Sequence, residues 1–196
     1  MKKIKFTVVF MVLVMLVGML VSCGSVTSGV TSDGSSDDSF KGTISLKQFL
    51  DSGPKVGFWG STSLGDPIQT VLFEDGKYYR VDNQGYNSEL TLRDISEMSD
   101  DELIEFVKEH KCASGLYWLR ITMDETGSTV KEENILYRDM DGYQELFDAQ
   151  TPFRDGDFSG FKKAYEGFGE FALYFRTGEN LTITFDSINT EGVLVN

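Results

Sequence analysis

Histidine, cysteine and positive charge are scarce in this chain, and each scarcity narrows the functions open to it. Among 196 residues there is one histidine, His110. A Ser-His-Asp or Cys-His catalytic centre would have to run through that one side chain. There are two cysteines, Cys23 and Cys112. A structural zinc site draws four ligands from Cys and His, and the body of the chain offers only His110 and Cys112, so no metal site is expected. Eighteen Lys and Arg stand against 31 Asp and Glu, for a formal net charge of -13. Phosphate backbones attract basic surfaces, so nucleic acid is not an expected partner. The chain has no Gly-x-x-x-x-Gly-Lys-Ser/Thr loop and no Gly-x-Gly-x-x-Gly after a strand, so no cofactor is expected either.

The few positive charges that begin the chain are informative. Lys2, Lys3 and Lys5 precede an uncharged apolar run from Phe6 to Ser22. A short basic region followed by an apolar core has the form of an export signal. An uncleaved membrane helix and an ordinary secretory signal share that form. A spanning helix needs roughly 20 apolar residues, and this run falls a little short. The sequence Leu20-Val21-Ser22-Cys23, followed by Gly24-Ser25, resembles the lipobox of bacterial lipoproteins. The resemblance implies cleavage after residue 22, lipidation of Cys23 and a place on the extracytoplasmic face of the cell membrane. Loss of the three lysines would leave a charge of about -16, so lipid rather than electrostatics must do the anchoring. Lipidation of Cys23 leaves Cys112 with no disulfide partner, and Cys112 is expected to be a small buried apolar residue.

Residues 24–39 are Gly, Ser, Thr and Asp apart from Val26 and Val30. Such a composition cannot bury a core; it makes a flexible tether with a span of roughly 20–24 Å. The remainder, residues 40–196, is long enough for one globular domain. Residues 44–50 suit a short helix or a strand end, and residues 55–60 a short aromatic strand. Asp75-Gly76, between runs rich in Val, Phe and Tyr, is a hairpin signal. Ser99 and Glu102 form a capping box at the clearest helix, whose apolar face is Leu103, Phe106 and Val107 with Ile104 beside it. Residues 116–123 and 129–137 read as one hairpin, and residues 170–176 and 181–188, around Thr177-Gly178-Glu179-Asn180, as another. Residues 155–165 show no clear assignment, and a weak junction falls near Cys112–Gly115. The expected class is α+β, strand-dominant, with antiparallel hairpins and one clear amphipathic helix.

Ile44-Ser45-Leu46, Gly57-Phe58-Trp59, Val71 through Lys77, and residues 90–100 (LTLRDISEMSD) are similar to a family of small lipoproteins from low-GC Gram-positive bacteria. The similarity covers roughly residues 1–110. It implies a lipobox, a tether, an F-x-D-G-K hairpin and a helix entry, and no catalytic residues.

Local motifs assemble no active site. Asp139-Met140-Asp141-Gly142 and Asp155-Gly156-Asp157 echo parts of calcium loops, but glycine stands fourth after Asp139 rather than sixth, and the twelfth place is Gln150. The many acids, including Asp100, Asp101, Glu102, Asp124, Glu125, Glu132 and Glu133, are expected on a solvated surface. Trp59, Trp118, Tyr78, Tyr79, Tyr86 and Tyr117 are expected in core and cross-strand packing. The leading expectation is a membrane-anchored, non-catalytic binding or accessory module of the cell envelope, whose partner is an envelope protein, a peptide or wall glycan. The alternatives are a wall-glycan hydrolase using two carboxylates and an immunity lipoprotein against phage or bacteriocin.

Overall fold

The structure is a computed structural model that describes residues 42–62, 67–82, 94 and 97–196. The export signal, Cys23, the tether and Tyr86 lie outside the described residues. Among the described residues no helix is long and apolar enough to cross a membrane.

Among the described residues twelve strands and two helices follow one another. They are β1 (Gly42–Ser45), α1 (Leu46–Asp51), β2 (Lys55–Ser61), β3 (Pro67–Glu74), β4 (Lys77–Asp82), α2 (Asp100–His110), β5 (Ala113–Met123), β6 (Val130–Asp139), β7 (Gly142–Ala149), β8 (Thr151–Asp155), β9 (Phe158–Tyr165), β10 (Gly169–Arg176), β11 (Leu181–Thr184) and β12 (Val193–Val195). The class is α+β with strand dominant, as the sequence indicates.

The strands from β2 to β10 pair in chain order, and β10 pairs back onto β2. The two ends of that path, β7 and β8, are consecutive and separated by Gln150 alone, whose N–H donates to Lys162 O at 3.0 Å. The circuit therefore closes through the chain itself: β7 and β8 act as one bent stave, paired to β6 at one end and to β9 at the other, in an antiparallel barrel. Closure of this kind leaves β7 and β8 each paired on one side and pairs the strands between them on both. A second bend lies in β5. Residues 113–116 pair with β4, residues from Tyr117 onward pair with β6, and β12 lies parallel to β5 at Leu119–Ile121. Strands that switch sheets at bends are the usual corners of such folds.

Alternation along the staves sorts the side chains. Val71, Phe73, Leu119, Ile135, Phe147, Phe161, Leu173 and Phe175 face inward and form the main core. Helix α1 is six residues long and would not persist alone. It is held by burial of Leu46, Phe49 and Leu50, with the Phe49 ring 5.2 Å from Phe175. Each such buried side chain contributes about 1.5–3 kcal/mol. On the outer face, Phe58, Leu72 and Val81 receive Leu103 and Val107 of α2. The capping box of Ser99 and Glu102 is formed, and Lys108–Glu74 (2.9 Å) and Arg176–Asp100 (2.9 Å) ion pairs tie α2 to the barrel.

The Asp75-Gly76 hairpin is present, with both residues at positive φ (50° and 73°), as a tight primed turn requires. Residues 113–139 also make the expected hairpin. Two expectations fail and one unassigned segment is resolved. First, β10 and β11 do not pair. Both edges of β10 are taken by β2 and β9, so β11 pairs in parallel with β1 instead, and residues past Thr184 leave the strand. Second, residues 155–165 are the turn and second strand of the β8–β9 hairpin, with Gly156 at φ 54°. Third, Cys112 is exposed. It lies at the bend from α2 into β5, where its N–H donates to Arg80 O at 2.8 Å, and that backbone pairing holds it at the rim. No junction divides the chain at residues 112–115, since β5 begins within them and runs on unbroken to Met123.

Candidate functional site

Two places concentrate chemistry: a pair of carboxyls within the barrel and a groove on its outer face. The carboxyls belong to Glu133 and Asp186. Glu133 lies on β6 with the inward parity of Ile135, opposite Ala149 and Ile121. Asp186 lies just beyond β11. Its Oδ2 accepts the Lys47 N–H of α1 at 2.8 Å, and its own N–H donates to Glu133 Oε2 at 2.9 Å. The pair thereby fastens α1 and β11 to the stave β6. Glu133 is 0% exposed and Asp186 2%. Burial, helped by the hydrogen bond and negative charge of Asp186, pushes the Glu133 carboxyl up to about 9. Glu133 therefore keeps its proton at neutral pH. The expectation that the acids are solvated is wrong for Glu133, because strand parity turns it inward with Ile135, while Glu132 is half-buried.

A carboxyl held protonated at neutral pH is what an acid catalyst needs, but here it is sealed off. Neither residue lines any of the cavities of about 520, 60 and 10 Å³.

The largest of these cavities is an open groove of about 520 Å³ across β2, β10, β9 and β8. Register explains its shape. Leu173 and Phe175 point inward, so Ala172 and Tyr174 point outward. Ala172 pairs with Gly60 on one side and Lys162 on the other, and Tyr174 with Phe58 and Gly160. Small residues at Gly60 and Ala172 leave a floor, and Phe153, Phe158 and Tyr174 supply aromatic walls. The Phe158 and Tyr174 rings meet edge to face at 5.6 Å and 87°, and both pack on Phe58, which α2 covers. The Lys162 ammonium stands 5.0 Å from the Phe153 ring and 3.1 Å from Glu170. Ser61, Thr62, Arg154 and Asp155 add polar groups to the rim. Among the described residues lining the groove, Asp155 is the one carboxylate.

The other candidates stay apart. The His110 ring stacks on Phe106 at 4.4 Å, and its Nδ1 lies 2.9 Å from Phe106 O, at the exposed end of α2. Asp139 and Asp141 form a hairpin turn closed by Asp141 N–H to Asp139 Oδ1. Among the described residues no three His, Cys, Asp or Glu side chains gather around a point that could hold a metal ion. The groove aromatics do not stand out in the sequence, which draws attention to tryptophans and tyrosines elsewhere. The signal they do leave is the outward-parity alternation of small and aromatic residues in Phe158-Ser159-Gly160 and Ala172-Leu173-Tyr174. Comparison with family models, curated proteins and solved structures gives no match to this chain.

Proposed function

We propose that this chain is an extracytoplasmic lipoprotein, anchored through lipid on Cys23, whose barrel is a non-catalytic binding module of the cell envelope. The observation that carries this reading is the separation of acids from concavity. Among the described residues, the one carboxyl pushed up far enough to hold a proton is inside a filled barrel, and the open groove presents Asp155 without a second lining carboxylate. Hydrolysis of a glycosidic bond takes two carboxyls facing one substrate. Binding takes a concave surface with apolar walls and a few polar groups, of about 300–1,000 Å³, and the groove has that form.

The test has two arms. Cells fed labelled fatty acid should label the wild-type chain and not Cys23→Ala; label persisting in the variant would refute the anchor. The full chain in detergent micelles should be retained by detergent-washed cell envelopes, and absence of retention would refute the binding module.

A further inference from the structure

We infer that the outer groove over β2, β10, β9 and β8 is a binding site for an uncharged oligosaccharide of about two to three pyranose rings. The inference rests on the binding-module reading and specifies its ligand.

Strands lie about 4.8 Å apart, so the four staves span about 14 Å, the length of a short run of sugar rings. A pyranose presents a face of C–H bonds and a girdle of hydroxyls that both donate and accept. The groove offers the complement of each. Phe153, Phe158 and Tyr174 line the groove with apolar rings, and the packing of Phe158 and Tyr174 on each other and on Phe58 holds two of them in place before any ligand arrives. Arg154 brings a guanidinium donor that reaches Gly156 O at 3.5 Å, and Asp155 brings a carboxylate acceptor.

Other ligand classes fit worse. An extended peptide gains affinity by pairing its backbone with a sheet edge. Here β2, β10 and β9 are paired on both sides, so of the four strands that line the groove β8 alone keeps an edge for an added strand. An acyl chain would strip water from Arg154, Asp155 and Lys162 without giving them partners. A polyanion would meet Asp155, the nearby Glu170 and a chain of net charge -13.

The experiment is calorimetric titration of the full chain, in micelles of a detergent without a sugar headgroup. The probes are three neutral trisaccharides: the β-1,4-linked N-acetylglucosamine trimer, cellotriose and maltotriose. At least one should bind, and Phe153→Ala should weaken it about tenfold, the effect of losing one stacking face. Phe153→Leu keeps apolar bulk without a flat ring and should weaken binding in the same way, which covers the case in which the alanine variant fails to fold. Asp155→Asn should weaken it less. If none of the three binds at about 10 mM, or if binding ignores both Phe153 variants, the oligosaccharide site is refuted. The envelope retention assay separates the two failures. Retention that Phe153→Leu abolishes, with no trisaccharide bound, overturns the sugar and leaves the binding module standing. No retention and no sugar binding overturn both.

Discussion

Glu133 is the residue whose role differs most from its sequence context. It sits in Lys131-Glu132-Glu133-Asn134, a polar run, yet it is fully buried against Asp186. Its folded pKa, about 9, lies above the ordinary glutamate value of 4.5. The folded state therefore holds a proton that the unfolded state releases across that interval. The resulting stability is complete below about pH 4.5 and is lost as pH rises through about 9, with a slope of at most about 1.4 kcal/mol per pH unit. Between about pH 6 and 8.5 ordinary surface carboxylates are already ionised, so the part of the slope that Glu133→Gln removes belongs to Glu133. The expected result is a melting temperature that falls with pH across it in the wild type and stays flatter in Glu133→Gln, which keeps the shape and a donor. Parallel curves from scanning calorimetry would refute a protonated Glu133.

At the scale of elements, the two helices are specified in different ways. Helix α2 carries its own start signal. Ser99 Oγ accepts the Glu102 N–H at 3.3 Å, and the Glu102 carboxylate accepts the Ser99 N–H at 2.8 Å, which holds that carboxyl below its ordinary value. Ser99→Ala should cost about 0.5–2 kcal/mol in urea unfolding, because first-turn amides lose an acceptor. An unchanged midpoint would show that water replaces the serine. Helix α1 has a serine cap too, at Ser45, but no acid in its first turn. Its placement depends on Asp186, 139 residues later, which accepts its Lys47 N–H. The sheet contains a similar dependence at Gly160. A Cβ there would lie 2.1 Å from Leu173 O, so β9 and β10 can approach beneath the groove only because that position is glycine.

At the scale of the whole molecule, the barrel closes where β7 turns into β8. Beside that turn, Lys163 of β9 and Asp148 of β7 form an ion pair, with side chains 16% and 7% exposed. Lys163→Met leaves the Asp148 charge buried without its partner and should cost about 3 kcal/mol or more. Changing both, to Met and Leu, should recover most of that loss, and a double-mutant cycle in urea reads the difference. Additive costs would show that the two side chains act independently at the seam. The filled interior also bears on activity. The full chain should release no soluble product from cell-wall glycan between about pH 5 and 8, where a tuned acid would work. Product release abolished by changing one acid, with folding intact, would overturn the binding reading.

The sequence alone determined those features that rest on neighbouring residues. Asp75-Gly76 encodes a turn because both positions must take positive φ, and Ser99 with Glu102 encodes a helix start because their side chains reach only first-turn amides. Alternating apolar residues encode strands, and hence the class. Tertiary structure decided what depends on partners distant in the chain. The strand signal at residues 181–184 does not say which strand it meets, and β11 joined β1 because both edges of β10 were occupied. The acids at Glu132 and Glu133 look alike in sequence, and parity within the barrel left one half-buried and put the other beside Asp186. The groove is a register effect: Gly60, Ala172 and Lys162 become neighbours only when three strands from the two ends of the chain pair. Local propensity acts over a few residues, whereas pairing, burial and the resulting surface shape are set by the circuit as a whole.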